Sequence, residues 1–252
     1  GHSFGNLFIA AMTQVTGDVE LALQESCKVL AVRGQVLPSS ASAVRLSAEC
    51  CDGTIVHGES NIPLSGKSIR RVVLEPPDVP AVKSALDAIR DADAVVLGPG
   101  SLYTSVMPNL LVKEIAEALH RTQAVRMYVC NVMTQPGETD GYKASDHVRA
   151  LMDHAGRDII DYVLVNVEEV AGCLLDNYAK QGACPVEADI ESIEQLGVAV
   201  IPSRMICETN WVRHDPARLA RLVLSMVERK KELTPKTELA EEPADSDREL
   251  KS

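Results

Sequence analysis

The sequence predicts an α/β fold, with helices on both faces of a mostly parallel sheet and a small antiparallel β insertion. Three patterns carry this. Short β-branched runs read as buried parallel strands at Ile69–Leu74, Ala94–Leu97, Val125–Val132, Tyr162–Val167 and Val198–Ile201. Between most of them, apolar residues recur at helical spacing: Val82, Ala85, Leu86 and Ile89; Leu111, Ile115, Ala118 and Leu119; Val148, Leu151, Met152 and Ala155; Leu219, Leu222, Val223, Met226 and Val227. Strand then helix, repeated, is the pattern of a layered α/β domain. The third pattern is an exception, because Gln35–Leu74 has no helical period. There Val44–Cys51 and Thr54–Ser60 flank Asp52-Gly53, a pair that supplies the positive φ of a tight hairpin turn. The insertion is expected over about residues 35–75, within one domain spanning 1–229.

The 252 residues are 46% hydrophobic and 24% charged, which excludes a wholly disordered or collagen-like chain. Lysines and arginines number 25 against 36 acidic residues, a net charge of −11, so bulk nucleic-acid binding is not expected. No apolar run is long enough to span a bilayer, and no secretory signal opens the chain. Seven cysteines without a C-x-x-C pair point to free thiols in a reducing cytoplasm. Residue 1 is glycine, and Leu7–Met12 is almost wholly apolar, so the chain is expected to begin inside a domain, incomplete at its N-terminus. Residues 230–252 hold 12 charges, two prolines and no aromatic residue, and are expected to form a disordered tail.

Three loops carry the candidate chemistry. Gly1-His2-Ser3-Phe4-Gly5 fits the G-x-S-x-G nucleophile elbow, but also a helix start with Ser3 as N-cap, and the second reading is preferred. Gly98-Pro99-Gly100-Ser101-Leu102-Tyr103-Thr104-Ser105 follows a buried strand directly. Its glycines let amides approach an anion, and Ser101, Thr104 and Ser105 add hydroxyl donors, as in a phosphate cradle; a plain turn is the alternative. Asn131–Tyr142 is long for a connection at a strand end. Its Glu138 and Asp140 suit ribose or sugar hydroxyls, or Mg²⁺ through water; a capped turn with Ser145 starting the next helix is the alternative. Two such loops on successive strand ends suggest a shared crevice. Tyr178 and Trp211-Val212-Arg213-His214 supply a ring and a cation, which spacing alone leaves as surface residues.

Val129-Cys-Asn-Val-Met-Thr-Gln-Pro-Gly-Glu-Thr-Asp-Gly-Tyr142, Leu97-Gly-Pro-Gly-Ser-Leu-Tyr-Thr-Ser105, Gly1-His-Ser-Phe-Gly-Asn-Leu7 and Val36-Leu-Pro38 resemble the signatures of the gluconeogenesis factor YvcK family, within the CofD-like superfamily. The likeness runs from residue 1 to about residue 229. It implies a Rossmann-like three-layer α/β fold and a cytoplasmic bacterial protein required for cell shape and wall synthesis on gluconeogenic carbon. It implies binding of the nucleotide-sugar UDP-N-acetylglucosamine, no required cofactor and no established catalysis. Ligand contacts are then expected at His2, Ser3, Asn6, Gly98, Gly100, Ser101, Thr104, Ser105, Asn131, Thr134, Glu138 and Asp140, and by motif match at Tyr178 and Arg213. The family's upstream Gly-Gly-Gly-Thr-Gly turn is absent from this chain. The resemblance to the superfamily's namesake, 2-phospho-L-lactate transferase, leaves a group transferase using Mg²⁺ as the alternative. A nucleotide-sugar is the expected partner, with no nucleic acid and no membrane span; a homo-oligomer is left open.

Overall fold

The computed structural model describes residues 4–29, 33–208 and 212–233. Its centre is a four-stranded parallel sheet built from β4 (Ala94–Leu97), β5 (Val125–Val129), β6 (Tyr162–Asn166) and β7 (Ala199–Ser203), in that order. Alternation along each strand sends side chains to opposite faces. On β5, Val125, Met127 and Val129 enter one apolar cluster, while Tyr128 and the following Cys130 enter the other. On the first side Leu219, Leu222, Val223 and Met226 of α9 (Pro216–Leu233) cover the strands. On the second side lie α3 (Lys83–Asp91), α5 (Lys113–Arg121), α6 (Ala144–Ala155) and α8 (Ile190–Gln195). This is the expected three-layer arrangement. Each fully buried large apolar side chain, such as Leu119, Met127, Leu151 or Leu164, contributes on the order of 1.5–3 kcal/mol.

The expected hairpin is present. β1 (Arg45–Cys50) and β2 (Ile55–His57) pair antiparallel, and Gly53 takes φ +82° in the turn between them. β2 is shorter than its sequence pattern, because the chain bends into a 3₁₀ turn at Glu59–Asn61. One strand assignment is corrected. Ile69–Leu74, expected in the parallel sheet, forms β3 (Ile69–Glu75), which pairs antiparallel with β1. A parallel strand is usually buried on both faces, whereas β3 turns Arg70 and Arg71 outward. There they clasp the Glu49 carboxylate at 2.6 Å and hold it near a pKa of about 2. β5 likewise stops at Val129 rather than Val132. The apolar opening segment forms α1 (Phe4–Thr16), followed by α2 (Val19–Val29). Helix α9 runs to Leu233, so residues 230–233 of the expected tail are helical; the rest of that segment lies outside the described residues.

Two contacts dock the insertion. His154 on α6 donates from Nδ1 to the Ala150 carbonyl (2.7 Å) and accepts at Nε2 from the Val72 amide of β3 (3.0 Å). This arrangement fixes a neutral imidazole, and burial pushes the His154 pKa down. Gly137, in the loop after β5, lies against Pro63 of the insertion. It has φ +79°, and a Cβ built there would sit 1.9 Å from the Pro63 carbonyl oxygen.

Gly137→Ala should therefore lose at least about 2 kcal/mol of stability, through backbone strain and overpacking together, measured by urea denaturation. Stability should also depend on pH through His154. Its folded pKa lies below the unfolded value of about 6.5, so the unfolded chain binds more protons between the two. The contribution is complete above about pH 6.5 and is lost as pH falls through the folded pKa. Urea midpoints at pH 7.5 and 5.5 should differ less in His154→Ala than in the wild type.

Candidate functional site

The loop after β4 is shaped by its own backbone. The amides of Ser105 and Val106 both donate to the Ser101 carbonyl (3.0 and 2.9 Å), winding Leu102–Val106 into a π turn that runs into α4 (Met107–Leu110). Leu102, Tyr103 and Val106 are buried beneath it. Of the three hydroxyls expected to face a phosphate, those of Ser101 and Thr104 bond the neighbouring loop, while Ser105 is exposed. Ser101 Oγ accepts from Gln135 Nε2 (2.6 Å), and Thr104 Oγ1 donates to Glu138 Oε1 (3.0 Å). Tyr103 and Tyr142 join through their hydroxyls at 2.8 Å. A Cβ on Gly100 would press on Ser105 Cβ at 3.2 Å, so the loop folds back closely on itself at this glycine.

The loop after β5 is tied internally as well. Thr139 Oγ1 accepts from the Gln135 amide (2.9 Å), and Asp140 Oδ2 accepts from the Gly137 amide (2.7 Å). Thr134, buried, bonds the segment before α8. Its amide donates to the Cys184 carbonyl (2.7 Å), and its Oγ1 accepts from the Cys184 amide (3.0 Å). The Val186 amide donates to the Val132 carbonyl at 2.9 Å, completing a short two-stranded junction.

A cleft of about 310 Å³ opens beside these loops, lined by residues that include Pro99, Asn131–Pro136, Tyr178, Gln181, Arg213 and His214. Each of the four parallel strands feeds it from its carboxyl end. Pro99 follows β4, and Asn131 follows β5. Tyr178 stands on α7 (Gly172–Ala179) after β6, and Arg213 and His214 stand on β9 (Val212–His214), paired with β8 (Ile206–Glu208) after β7. Ligands of open α/β sheets bind at this edge. The Tyr178 hydroxyl accepts from the Val212 amide (3.1 Å) and donates to the Val212 carbonyl (3.3 Å), so Tyr178 anchors the β8–β9 hairpin.

The charge of the cleft is set by what is absent from its lining. Among the described residues no aspartate or glutamate lines it, although the chain carries 36. Arg213 is exposed and has no ion-pair partner among the described residues. The His214 Nδ1 is buried without a hydrogen-bond partner among the described residues, and burial pushes its pKa down, favouring neutral imidazole. The polar remainder is made of amides and a hydroxyl: Asn131, Gln135, Gln181 and Thr134. A larger hollow of about 750 Å³ between α9 and β7 is walled mainly by aliphatic side chains and holds none of the expected contacts.

Of the residues expected to meet ligand, Asn131, Thr134, Tyr178 and Arg213 line the cleft together. Gly98, Gly100, Ser101, Thr104 and Glu138 lie at the junction of the two loops and not in the cleft lining, while Ser105 and Asp140 are exposed outside it. His2, Ser3 and Trp211 lie outside the described residues, and Asn6 is described only as part of α1. Sequence reasoning passed over Gln135, Gln181 and the imidazole face of His214. The only signal for the first two was proximity, Gln135 beside Thr134 and Gln181 three residues beyond Tyr178.

Comparison with known proteins now bears on the chain. Residues 1–206 match the family model described as 2-phospho-L-lactate transferase CofD. The gluconeogenesis factor of Halalkalibacterium halodurans is 49% identical over 225 residues, covering 89% of this chain and 70% of that protein. That of Bacillus subtilis is 46% identical over 228 residues, covering 90% and 72%. The match to a Nostoc relative, 50% identical over 227 residues, spans only half of that protein's length. A crystal structure of a UPF0052 family member from Bacillus halodurans superposes with a TM-score of 0.86 at 49% identity, covering 89% of this chain and 73% of that one. The sheet, the crevice at its carboxyl edge and these matches agree: the chain belongs to the CofD family and is a relative of the bacterial gluconeogenesis factors.

Proposed function

We propose that the protein is a nucleotide-sugar-binding regulatory protein whose ligand is UDP-N-acetylglucosamine. In this reading it acts in the cytoplasm as a gluconeogenesis factor required for cell shape and wall synthesis on gluconeogenic carbon. The observation that carries the reading is a cleft without a carboxylate among its described lining residues, in a chain of net charge −11, with the Arg213 guanidinium at its edge and no ion-pair partner for it among the described residues. Such a lining favours an anion and suits a diphosphate held bidentately by Arg213. Tyr178 lines the cleft with its hydroxyl engaged by Val212, and in this reading its ring meets uracil or sugar. The amides of Asn131, Gln135 and Gln181 both donate and accept, which matches hydroxyl and acetamido groups. At about 310 Å³ the hollow is at the small end of ligand sites, so part of a nucleotide-sugar would lie over the open surface. None of the described helices is long and apolar enough to cross a membrane.

The transferase reading would use Mg²⁺, and the cleft residues do not fit that ion. Mg²⁺ takes carboxylate and phosphate oxygens, whereas the cleft offers none of the former, and Asp140 caps the Gly137 amide outside it. Among the described residues no group of three or more His, Cys, Asp or Glu could hold a metal.

Calorimetry with UDP-N-acetylglucosamine tests the proposal. Arg213→Ala should weaken binding about 10- to 100-fold, the range for a lost charge-assisted hydrogen bond. Tyr178→Ala should weaken it about tenfold or more, through the lost ring and the released hairpin. Retention of wild-type affinity in both variants rejects these roles. Removing Mg²⁺ with EDTA should leave affinity unchanged, and an affinity that collapses without Mg²⁺ would favour the transferase.

A further inference from the structure

The seat expected to hold a phosphate, at the start of the Leu102–Val106 turn, already contains an anion. It is the protein's own Glu138. This side chain is only 6% exposed, yet it belongs to a surface loop. One carboxyl oxygen, Oε1, accepts from the Thr104 hydroxyl at 3.0 Å. The other, Oε2, is buried and has no hydrogen-bond partner among the described residues. Burial pushes the Glu138 pKa up, while the Thr104 hydroxyl and the amides of Tyr103 and Thr104 pull it partly back; the nearby Glu59 adds to the rise. Burying a carboxylate costs several kcal/mol unless it is well compensated. An aliphatic side chain would join two loops at less cost, so what the acid contributes here is more than simple packing.

What it supplies is a fixed geometry. Glu138 holds the loop after β4 to the loop after β5, alongside the Ser101–Gln135 and Tyr103–Tyr142 bonds. Its backbone is clamped as well, because the Glu138 amide donates to the Gln135 carbonyl at 3.0 Å. Pro99, Asn131 and Gln135 are the cleft residues these two loops contribute. We propose that Glu138 is a positioning residue, an internal counter-anion that takes the phosphate seat at Tyr103–Thr104 and sets the two rims of the cleft before any ligand arrives. A ligand diphosphate is thereby excluded from that seat and is held on the Arg213 side. This inference deepens the nucleotide-sugar reading and rests on it for its affinity measurement, though not for its stability measurement.

Glu138→Ala and Glu138→Gln in the intact chain test it. Thermal melts are compared in sodium formate and sodium chloride at equal ionic strength, since formate can refill the vacated seat. Formate should raise the Tm of Glu138→Ala by about 2–4 °C and leave the wild type unmoved. Should Glu138→Ala fold only in formate, recovery of the folded fraction is the same readout. Affinity for UDP-N-acetylglucosamine should fall about tenfold in Glu138→Ala and recover in formate, and it should also fall about tenfold in Glu138→Gln, which keeps the acceptor for Thr104 but not the charge; a Glu138→Gln protein that binds as the wild type does overturns the counter-anion. A Glu138→Ala protein indifferent to formate, or one that binds the nucleotide-sugar as the wild type does, overturns the assignment. A wild type that fails to bind the nucleotide-sugar, while formate still rescues Glu138→Ala, rejects the proposed function and leaves the counter-anion in place.

Discussion

Three side-chain hydrogen bonds between two neighbouring loops hold the site together. Ser101 meets Gln135, Tyr103 meets Tyr142, and Thr104 meets Glu138, at 2.6, 2.8 and 3.0 Å. Each is worth only about 0.5–1.5 kcal/mol net, but they cross between loops that leave adjacent parallel strands. Without them the rims of the cleft would be two independent surface segments. With them, the edge of the sheet presents one continuous wall, and the remaining polar side chains, Asn131 and Thr134, keep fixed places along it. The constraint costs a buried acid and fixes the two loops relative to each other.

The antiparallel insertion stands behind this wall. Its Pro63 carbonyl leaves no room for a side chain at position 137, and its Val72 amide is received by His154 of α6. The ring of His154 in turn meets Tyr103 edge-on at 5.9 Å. Insertion, helix and loop are thus one packed body, and the conformation of the loop after β5 depends on residues some 70 positions earlier. The opposite wall is held differently. The Tyr178 hydroxyl holds the backbone of Val212, and the hairpin it anchors carries Arg213 to the cleft.

Electrostatics separates this cleft from the rest of the surface. The acids of the loop after β5 are engaged locally, Asp140 with the Gly137 amide and Glu138 with Thr104, and neither is among the residues that line the cleft. In an acidic chain that arrangement leaves Arg213 as the charge a ligand meets there, consistent with an anion as guest.

The sequence by itself determined the four parallel strands, the helices between them and the Asp52-Gly53 hairpin, because period and turn chemistry are local properties written along the chain. It could not give the direction of β3, since Val72 and Val73 suit either kind of sheet and only pairing with β1 decides between them. Nor could it say whether the hydroxyls of Ser101 and Thr104 faced a ligand or the next loop. A glycine-rich turn with hydroxyls has the same composition in both cases; what filled it was a carboxylate 34 residues away along the chain. The tertiary structure alone decided this, because burial and hydrogen-bond partnership belong to groups brought together in space.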